Sequence, residues 1–359
     1  MKKAFSALAL VLALCLALAG CHISTPDTVG TVGETEITSG LYLLAQFDAY
    51  QQAAQLAGTD QDYNDVKSFL KETITLDEET GETALVSDYV AEKTMETLRF
   101  YAAVEERFAE LGGELTEAQT AQADAYAQQL LDNYGTIYTA NGIGLESLKL
   151  YERNLVKSAA LLDLVYGPEG ETPVSDADLL AHLDEMLYTC YISVPLYDSS
   201  TFAFADEDQT AQMLTLAEEA AAGYTGSSAA DFQAAVTDTV SEMYAVLGGE
   251  YTPTAADFAT GFLLDSDLET SFTEEAADTV RGLEVGQAAA VEYSSYAILL
   301  LVRLDPLDTL TLDQLRGDIL SDLCSETLQN DLTAQGEALA DGLDAGVMAK
   351  LPAKKITMG

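Results

Sequence analysis

One apolar run decides what the rest of this chain has to do. Ala4 to Ala19 is preceded by Lys2 and Lys3 and followed by Gly20 and Cys21, and no later stretch of the 359 residues matches it. A short basic start, an apolar segment of this length and small residues at its end read as a secretory signal peptide, expected over residues 1–20. As an uncleaved anchor helix the run is short, since a bilayer asks for about 20 apolar residues. A multi-span membrane protein is therefore excluded. The chain beyond the run has to fold in water, outside the cytoplasm.

The remainder has the material for a core. Asp and Glu number 60 against 16 Lys and Arg, a formal net charge of -44, yet 48% of residues are hydrophobic, which is ordinary for a globular chain. The length suits one large domain or two to three smaller ones. Nucleic acid is excluded as a partner, because binding a polyanion draws on clustered Lys and Arg. The same balance argues against docking on an anionic lipid surface through a basic patch. The 25 glycines show no period and there is no long heptad array, which removes collagen and a coiled-coil rod.

The segment Leu18-Ala19-Gly20-Cys21 resembles the lipobox of bacterial lipoproteins. That resemblance implies lipidation at Cys21, whose sulfur would carry a diacylglyceryl group and open the mature chain. The membrane is then a partner through this lipid, on the extracytoplasmic face of the cell membrane, since two or more acyl chains suffice for stable anchoring. Removal of Lys2 and Lys3 leaves 14 basic residues against 60 acidic, a balance of -46. Residues 21–30, with His22 to Gly30 after the lipid, form a tether. Cys15 goes with the leader, so Cys190 and Cys324 are the cysteines left over. They are far enough apart that a disulfide is possible without being readable, and two buried thiols fit the usual use of free Cys.

Helical periodicity dominates residues 31–170. Thr31 to Thr38 reads as a short strand, a tight turn at Gly33-Glu34 and the start of a helix capped by Thr38 or Ser39. That helix carries Leu41, Leu44, Phe47 and Tyr50 at helical spacing. A second helix runs from about Val86 to Leu111 with Met95, Leu98, Tyr101, Phe108 and Leu111 on one side. Gly112-Gly113 stops it, and Thr116 with Gln119 makes a capping box for a third helix to about Tyr134. A fourth holds Leu148, Leu155, Leu161, Leu162 and Val165.

Gly167 to Pro173 packs two prolines and two glycines into seven residues and reads as a junction. Beyond it, Ser175 caps a helix reaching Leu187, and Tyr188 to Leu196 is a β-branched and aromatic run. Ala211 to Ala222 and Ala229 to Val236 read as helices. Ala289 to Leu304 reads as a strand pair, or one strand with a turn at Ser294-Ser295. Pro306 punctuates, and from Thr311 a helix sets Leu312, Leu315, Ile319 and Leu323 on one side. Lys354 to Met358 reads as a final short strand. The expected class is α+β: residues 175–305 form an inserted α/β domain with a small antiparallel sheet, and residues 306–359 return to pack on the first helical region.

This order of elements resembles the PrsA and SurA group of extracytoplasmic foldases and chaperones. The resemblance rests on the lipobox, the Val32-Gly33-x-x-x-Ile37-Thr38 strand-turn-helix, and Val174-Ser175-Asp176-Ala177-Asp178 before the inserted domain. It implies a mostly helical chaperone body, built from both chain ends, that carries a parvulin-type (PpiC) peptidyl-prolyl isomerase module. Unfolded or nascent secreted polypeptides would be the partners, with no cofactor. The module's opening strand, approximately Ser-His-Ile-Leu-Val in the family, reads Cys190-Tyr191-Ile192-Ser193-Val194 here. Its closing strand, approximately Gly-Tyr-His-Ile-Ile-Lys-Val, reads Ser295-Tyr296-Ala297-Ile298-Leu299-Leu300. Leu283-x-x-Gly286 matches the family's Leu-x-x-Gly turn, and Gly248-Gly249-Glu250 its Gly-Gly-Asp, without the aromatic pair that usually follows. Both family histidines are therefore replaced, at Tyr191 and Ala297.

An isomerase has to stabilise a twisted amide against a barrier of about 20 kcal/mol, using a dry pocket with oriented hydrogen bonds. Tyr191 keeps one hydroxyl for such a network and Ala297 keeps nothing. The expected function is a membrane-anchored holdase or foldase whose isomerase activity is weak or lost. An active isomerase with an altered pocket is the alternative. A solute-binding lipoprotein of a transporter is a second alternative, and it would need α/β lobes throughout.

Other groups carry little chemistry. His182 sits on the helix before the module and His22 in the tether; with so few imidazoles and no cysteine pair at ligand spacing, zinc and copper sites are not expected. Asp206-Glu207-Asp208 and Asp265-Ser266-Asp267 lack the spacing and glycine of a calcium loop. No phosphate loop, nucleophile elbow or dinucleotide fingerprint occurs. Tyr42, Tyr50, Tyr63, Tyr89 and Tyr101 fall in the helical region, either as core or as part of an apolar cradle.

Overall fold

A computed structural model describes residues 27–58, 61–78, 80–198, 201–293 and 296–358. The apolar run, the lipobox with Cys21, the tether up to Pro26 and the Ser294-Ser295 turn lie outside the described residues. The fold is α+β, with small antiparallel sheets. It divides into two compact units. One comprises residues up to Thr172 together with Cys324–Gly359; the other is Pro173–Leu323.

The first unit opens with a hairpin of β1 (Thr28–Val32) and β2 (Thr35–Thr38). Val32 pairs with Thr35, so the loop is Gly33-Glu34, and Gly33 at φ 57° supplies the positive first position of a type II′ turn. The sequence pattern suggested that Thr35 to Thr38 runs straight into a helix. Alternation, with Ile37 inward and Glu36 outward, makes it a strand instead. α1 (Ser39–Ala57) begins where Thr38 Oγ1 accepts the Leu41 amide at 3.1 Å, and its Leu41, Leu44, Phe47 and Tyr50 are buried.

Between the first two long helices stand α2 (Val66–Phe69) and a hairpin of β3 (Thr73–Asp77) and β4 (Glu82–Leu85), where the periodicity suggested no strand. Then come α3 (Val86–Glu110), α4 (Glu117–Ala140) and α5 (Leu145–Tyr166). α4 continues past Tyr134. It starts from a reciprocal cap, Gln119 amide to Thr116 Oγ1 at 3.2 Å and Thr116 amide to Gln119 Oε1 at 2.9 Å. Phe47, Tyr50, Phe69 and Ile74 share one core, with Tyr50 edge-on to Phe69 at 5.5 Å. Burying side chains of this size contributes about 2–3 kcal/mol each.

The second unit begins with α6 (Asp176–Leu183), capped by Ser175 Oγ, which accepts the Asp178 amide at 3.2 Å. It stops short of Leu187 because that residue already opens β5 (Leu187–Pro195). After α7 (Glu207–Gly223) and α8 (Ala229–Val246) come β6 (Ala259–Leu263), α9 (Asp265–Ser271), α10 (Glu274–Arg281), β7 (Ala288–Tyr293) and β8 (Ala297–Arg303). The strands form one antiparallel sheet in the order β6-β5-β8-β7. Ile298, Leu300 and Val302 cluster with Met213, Phe232 and Val236 of α7 and α8. Leu299 and Leu301 cluster with Leu268, Ala277 and Val280 of α9 and α10. Cover on both faces explains why β8 reads as an unbroken apolar run.

α11 (Leu312–Ala338) starts from Thr311, whose Oγ1 accepts the Gln314 amide at 3.3 Å. Leu315, Ile319, Leu320 and Cys324 are buried, whereas Leu323 is exposed: the stripe drifts one position from the expected one. In the first unit Leu328 and Leu332 pack with Val104, Phe108 and Leu161. A Cβ on Gly336 would lie 2.7 Å from the Arg99 carbonyl, so only glycine lets α11 meet α3 there. β9 (Asp341–Leu343) pairs with β1 and completes the sheet order β2-β1-β9. The strand expected at Lys354 to Met358 is absent. α12 (Ala345–Met348) and a 3₁₀ turn at Ala353–Lys355 lead instead to Thr357, which bonds to Asn141. No helix among the described residues is long and apolar enough to cross a membrane.

Candidate functional site

Tyr191 and Ala297 lie on the two central strands of the inserted sheet, but not opposite one another. Register places Leu301 across from Tyr191 and Pro195 across from Ala297. The two share a face and stand four positions apart, about 13 Å along the strands. The row through Tyr191 reads Ala259, Tyr191, Leu301, Ala289 across the four strands. Its side chains include no imidazole, thiol or carboxylate. The phenol of Tyr191 is the row's single polar group, half-buried beside Leu268, Ala277 and Val280. Cys190, one residue back, points to the other face and is wholly buried; burial pushes its thiol above the usual range.

The helical unit carries a groove of about 590 Å³. Phe100, Tyr101, Tyr151 and Leu155 supply its apolar lining, and Asp48, Glu92, Lys93 and Glu96 are among its charged groups. Helical spacing builds it: Phe100 and Tyr101 come from α3, Tyr151 and Leu155 from the facing side of α5. Asn154 fixes the wall, its Nδ2 donating to the Tyr101 carbonyl at 3.0 Å and to Glu105 Oε1 at 2.9 Å. Burial, then the Glu105 carboxylate, push the Tyr101 phenol upward, so it stays neutral. Glu152 is buried beside this wall, and desolvation raises its carboxyl above the ordinary range. Lys93 and Glu96, both in the lining, are hydrogen-bonded at 2.5 Å, and this bond raises the lysine's pKa, which holds it as an ammonium ion and not as a free amine nucleophile.

A second apolar surface escapes the sequence reading. After β5, Tyr197, Phe204 and Tyr296 form a row with ring centroids 6.0 and 5.9 Å apart. Phe202, Phe204 and Tyr296 are 76%, 62% and 57% exposed. Phe202 also sits at φ 56°, a conformation bulky residues rarely take. The Asp198 carbonyl, which accepts the Phe202 amide at 2.7 Å, holds it there. The signal was present as Thr201-Phe202-Ala203-Phe204, two aromatics in a short polar loop.

The remaining groups have structural partners. His182 ends α6 with its Nε2 2.7 Å from Asp322 Oδ2, at the edge of a cavity of about 280 Å³ where Arg281 pairs with Asp265 at 3.0 Å. Asp206 caps α7 by accepting the Gln209 amide at 2.8 Å, and Asp267 accepts the Leu264 amide at 3.2 Å. Among the described residues no cluster of His, Cys, Asp or Glu is placed to hold a metal ion. Cys190 and Cys324 are free buried thiols. Tyr42, Tyr50, Tyr89 and Tyr101 are buried, while Tyr63 is exposed and accepts the Tyr50 hydroxyl on its carbonyl.

Fold and site together define a class: an α+β chain whose helical unit is built from both ends, with an antiparallel α/β unit inserted between them. No protein-family model matches the chain, and no curated protein sequence matches it. Among solved structures it is similar to the foldase protein PrsA from Streptococcus pneumoniae, at 15% identity over 77% of this chain and 98% of that one, with a TM-score of 0.34. It is also similar to PrsA from Bacillus subtilis, at 14% identity over 78% and 93% of the two chains, TM-score 0.31. A third similar structure is the foldase protein PrsA from Lactococcus lactis, at 15% identity over 92% and 93%, TM-score 0.25.

Proposed function

We propose that this chain is a lipid-anchored, extracytoplasmic folding factor that holds unfolded secreted polypeptides by non-covalent contact, with prolyl isomerase activity weak or lost. The groove of Phe100, Tyr101, Tyr151 and Leu155 carries the reading. It offers apolar area with charged groups around it, and its lysine, Lys93, is held as an ammonium by Glu96, which suits reversible capture of extended, partly apolar segments. The Tyr197-Phe204-Tyr296 row, with exposed Phe202 in the same loop as Phe204, adds a second contact surface of the same chemistry. The lipobox at Cys21 supports the anchor. The domains in this proposal are the leader (1–20), the tether (21–30), a chaperone region (31–170), a degenerate parvulin-like domain (175–305) and the C-terminal segment (306–359). The tether bounds come from the sequence, though Thr28 to Gly30 already belong to β1 and Val29 is buried. The C-terminal segment rejoins the first unit only from Cys324, because residues 306–323 belong to the inserted unit.

The row Ala259-Tyr191-Leu301-Ala289 supports the loss of catalysis, because a twisted amide placed there would meet one phenol and otherwise hydrocarbon. That phenol is also what favours the alternative, an isomerase with an altered pocket. Turnover of a proline peptide that disappears in Tyr191→Phe would establish the alternative. A transporter's solute receptor needs two α/β lobes, and the first unit is helical with only small antiparallel sheets. Delay of aggregation of an unfolded client at equimolar ratio tests the main reading, and no delay refutes it.

A further inference from the structure

Positive charge is scarce here, 16 basic residues against 60 acidic, and the first unit distributes it unevenly. Lys93, Lys149 and Lys157 each pair with a carboxylate, Lys149 with Asp124 at 3.5 Å. Lys67, Lys71, Lys350, Lys354 and Lys355 are all exposed and take part in none of the carboxylate ion pairs found among the described residues. Four of these, Lys67, Lys350, Lys354 and Lys355, line a single cavity of about 590 Å³ together with Gln46 and Asn141. Asp65 lies near enough for Lys67 to help lower its carboxyl, after the larger pull of the Ser68 hydroxyl and amide.

The cluster is fixed in place. Asn141 Nδ2 donates to the Thr357 carbonyl, and the Thr357 amide donates to Asn141 Oδ1, both at 2.9 Å. Ile356 is buried, and Lys355 Nζ donates to the Lys350 carbonyl at 2.8 Å. The net charge argues against a basic surface of any kind. The fold nevertheless gathers one from segments about 280 residues apart in sequence.

Its position is what gives it meaning. The Asp27 carbonyl accepts the Ser39 amide at 3.2 Å, so the chain enters beside the start of α1. Leu43 and Gln46 of α1 line the cavity, about 6 and 10 Å further along the helix axis. The Val29 carbonyl accepts the Asp344 amide at 2.8 Å, and Leu351 packs in the same cluster as Val29. From Cys21 to Asp27 the backbone spans at most about 21 Å. The basic cavity thus lies at the end of the first unit where the tether arrives.

We infer that this lysine cluster docks the headgroups of anionic phospholipids and so orients the tethered chain on the bilayer; the inference rests on the anchoring of Cys21 proposed above. A body of overall negative charge is repelled from an anionic bilayer in every orientation but one, that in which its basic face meets the headgroups. Each lysine near such a surface multiplies the preference about five-fold, within a Debye length of about 10 Å at 0.1 M salt.

The test couples the mature chain, through the Cys21 thiol, to a maleimide-bearing lipid in vesicles; Cys190 and Cys324 are buried and spared. The vesicles are phosphatidylcholine alone or an equal mixture with phosphatidylglycerol, and the readout is acetylation of Lys350, Lys354 and Lys355, by peptide mass. Acetylation at least about five-fold slower in the mixture, restored by molar salt, is the expected result. In the triple variant Lys350→Gln, Lys354→Gln, Lys355→Gln, protection of Lys67 and Lys71 should vanish. Equal rates in both vesicles overturn the inference. Protection by soluble glycerol phosphate but not by the bilayer also overturns it, and points to a free phosphate ligand. The mass of Cys21 peptides from native membranes judges the anchor separately, because the coupled chain does not depend on acylation in the cell.

Discussion

Tyr191 of β5 stands directly across from Leu301 of β8, at the centre of the inserted sheet. The hydroxyl that an isomerase would need has a hydrocarbon neighbour, and Ala297 is four positions away. A proline-peptide assay is therefore expected to show at most a weak rate above the uncatalysed one, with Tyr191→Phe indistinguishable from the parent. A rate that rises with protein concentration and is lost in Tyr191→Phe would reverse this.

The aromatic row makes a separate demand. Phe202 and Phe204 are exposed, so Phe202→Ser with Phe204→Ser removes little buried area and should change stability by less than about 0.5 kcal/mol. Replacing the strained Phe202 by Gly should if anything stabilise the loop, by up to about 1–2 kcal/mol. Client protection by the serine pair should fall while the melting temperature holds. If protection is unchanged, the row is not a contact surface.

How much of this was legible in the sequence differs from element to element. Thr38, Thr116 with Gln119, and Ser175 announced their helices because a cap is a local hydrogen bond between near neighbours. β3 and β4 did not, because they are short and mostly exposed. β9 is three residues, Asp-Gly-Leu, whose pairing with β1 is wholly non-local. Lys354 to Met358 has strand-like composition, but its backbone is claimed by the Asn141 side chain. The register of β8 was beyond reach: a strand buried on both faces has no alternation to say which residue meets Tyr191. The groove was half legible, since spacing placed Tyr101 and Leu155 on helices but not which helices face each other.

Glu152 gives a prediction with a definite sign. Burial raises its carboxyl in the folded chain above the value it has when unfolded, so the folded state holds the proton more tightly. Its contribution to stability is then best below the ordinary glutamate range and declines as pH rises through the folded pKa. Glu152→Gln should raise the melting temperature at neutral pH, and the advantage should vanish on acidification below the ordinary glutamate value. An advantage independent of pH would show that desolvation of this carboxylate is not the cause.

The two cores should report separately. Phe69 and Phe232 are fully buried, one in each unit. Truncation of each to Ala leaves a cavity and should cost about 3–5 kcal/mol. Urea unfolding monitored by circular dichroism is expected to show Phe69→Ala weakening the first unit and Phe232→Ala the second. A cost near zero at either would mean that the site relaxes around the loss.

The most direct measurement is light scattering from a chemically unfolded client diluted into buffer with an equimolar amount of this chain. Aggregation should be delayed, the delay should persist in Tyr191→Phe, and it should shrink in Phe100→Ser with Leu155→Ser, which alter the groove where Leu155 is 45% exposed. A client that aggregates at the same rate with and without the chain would contradict the account.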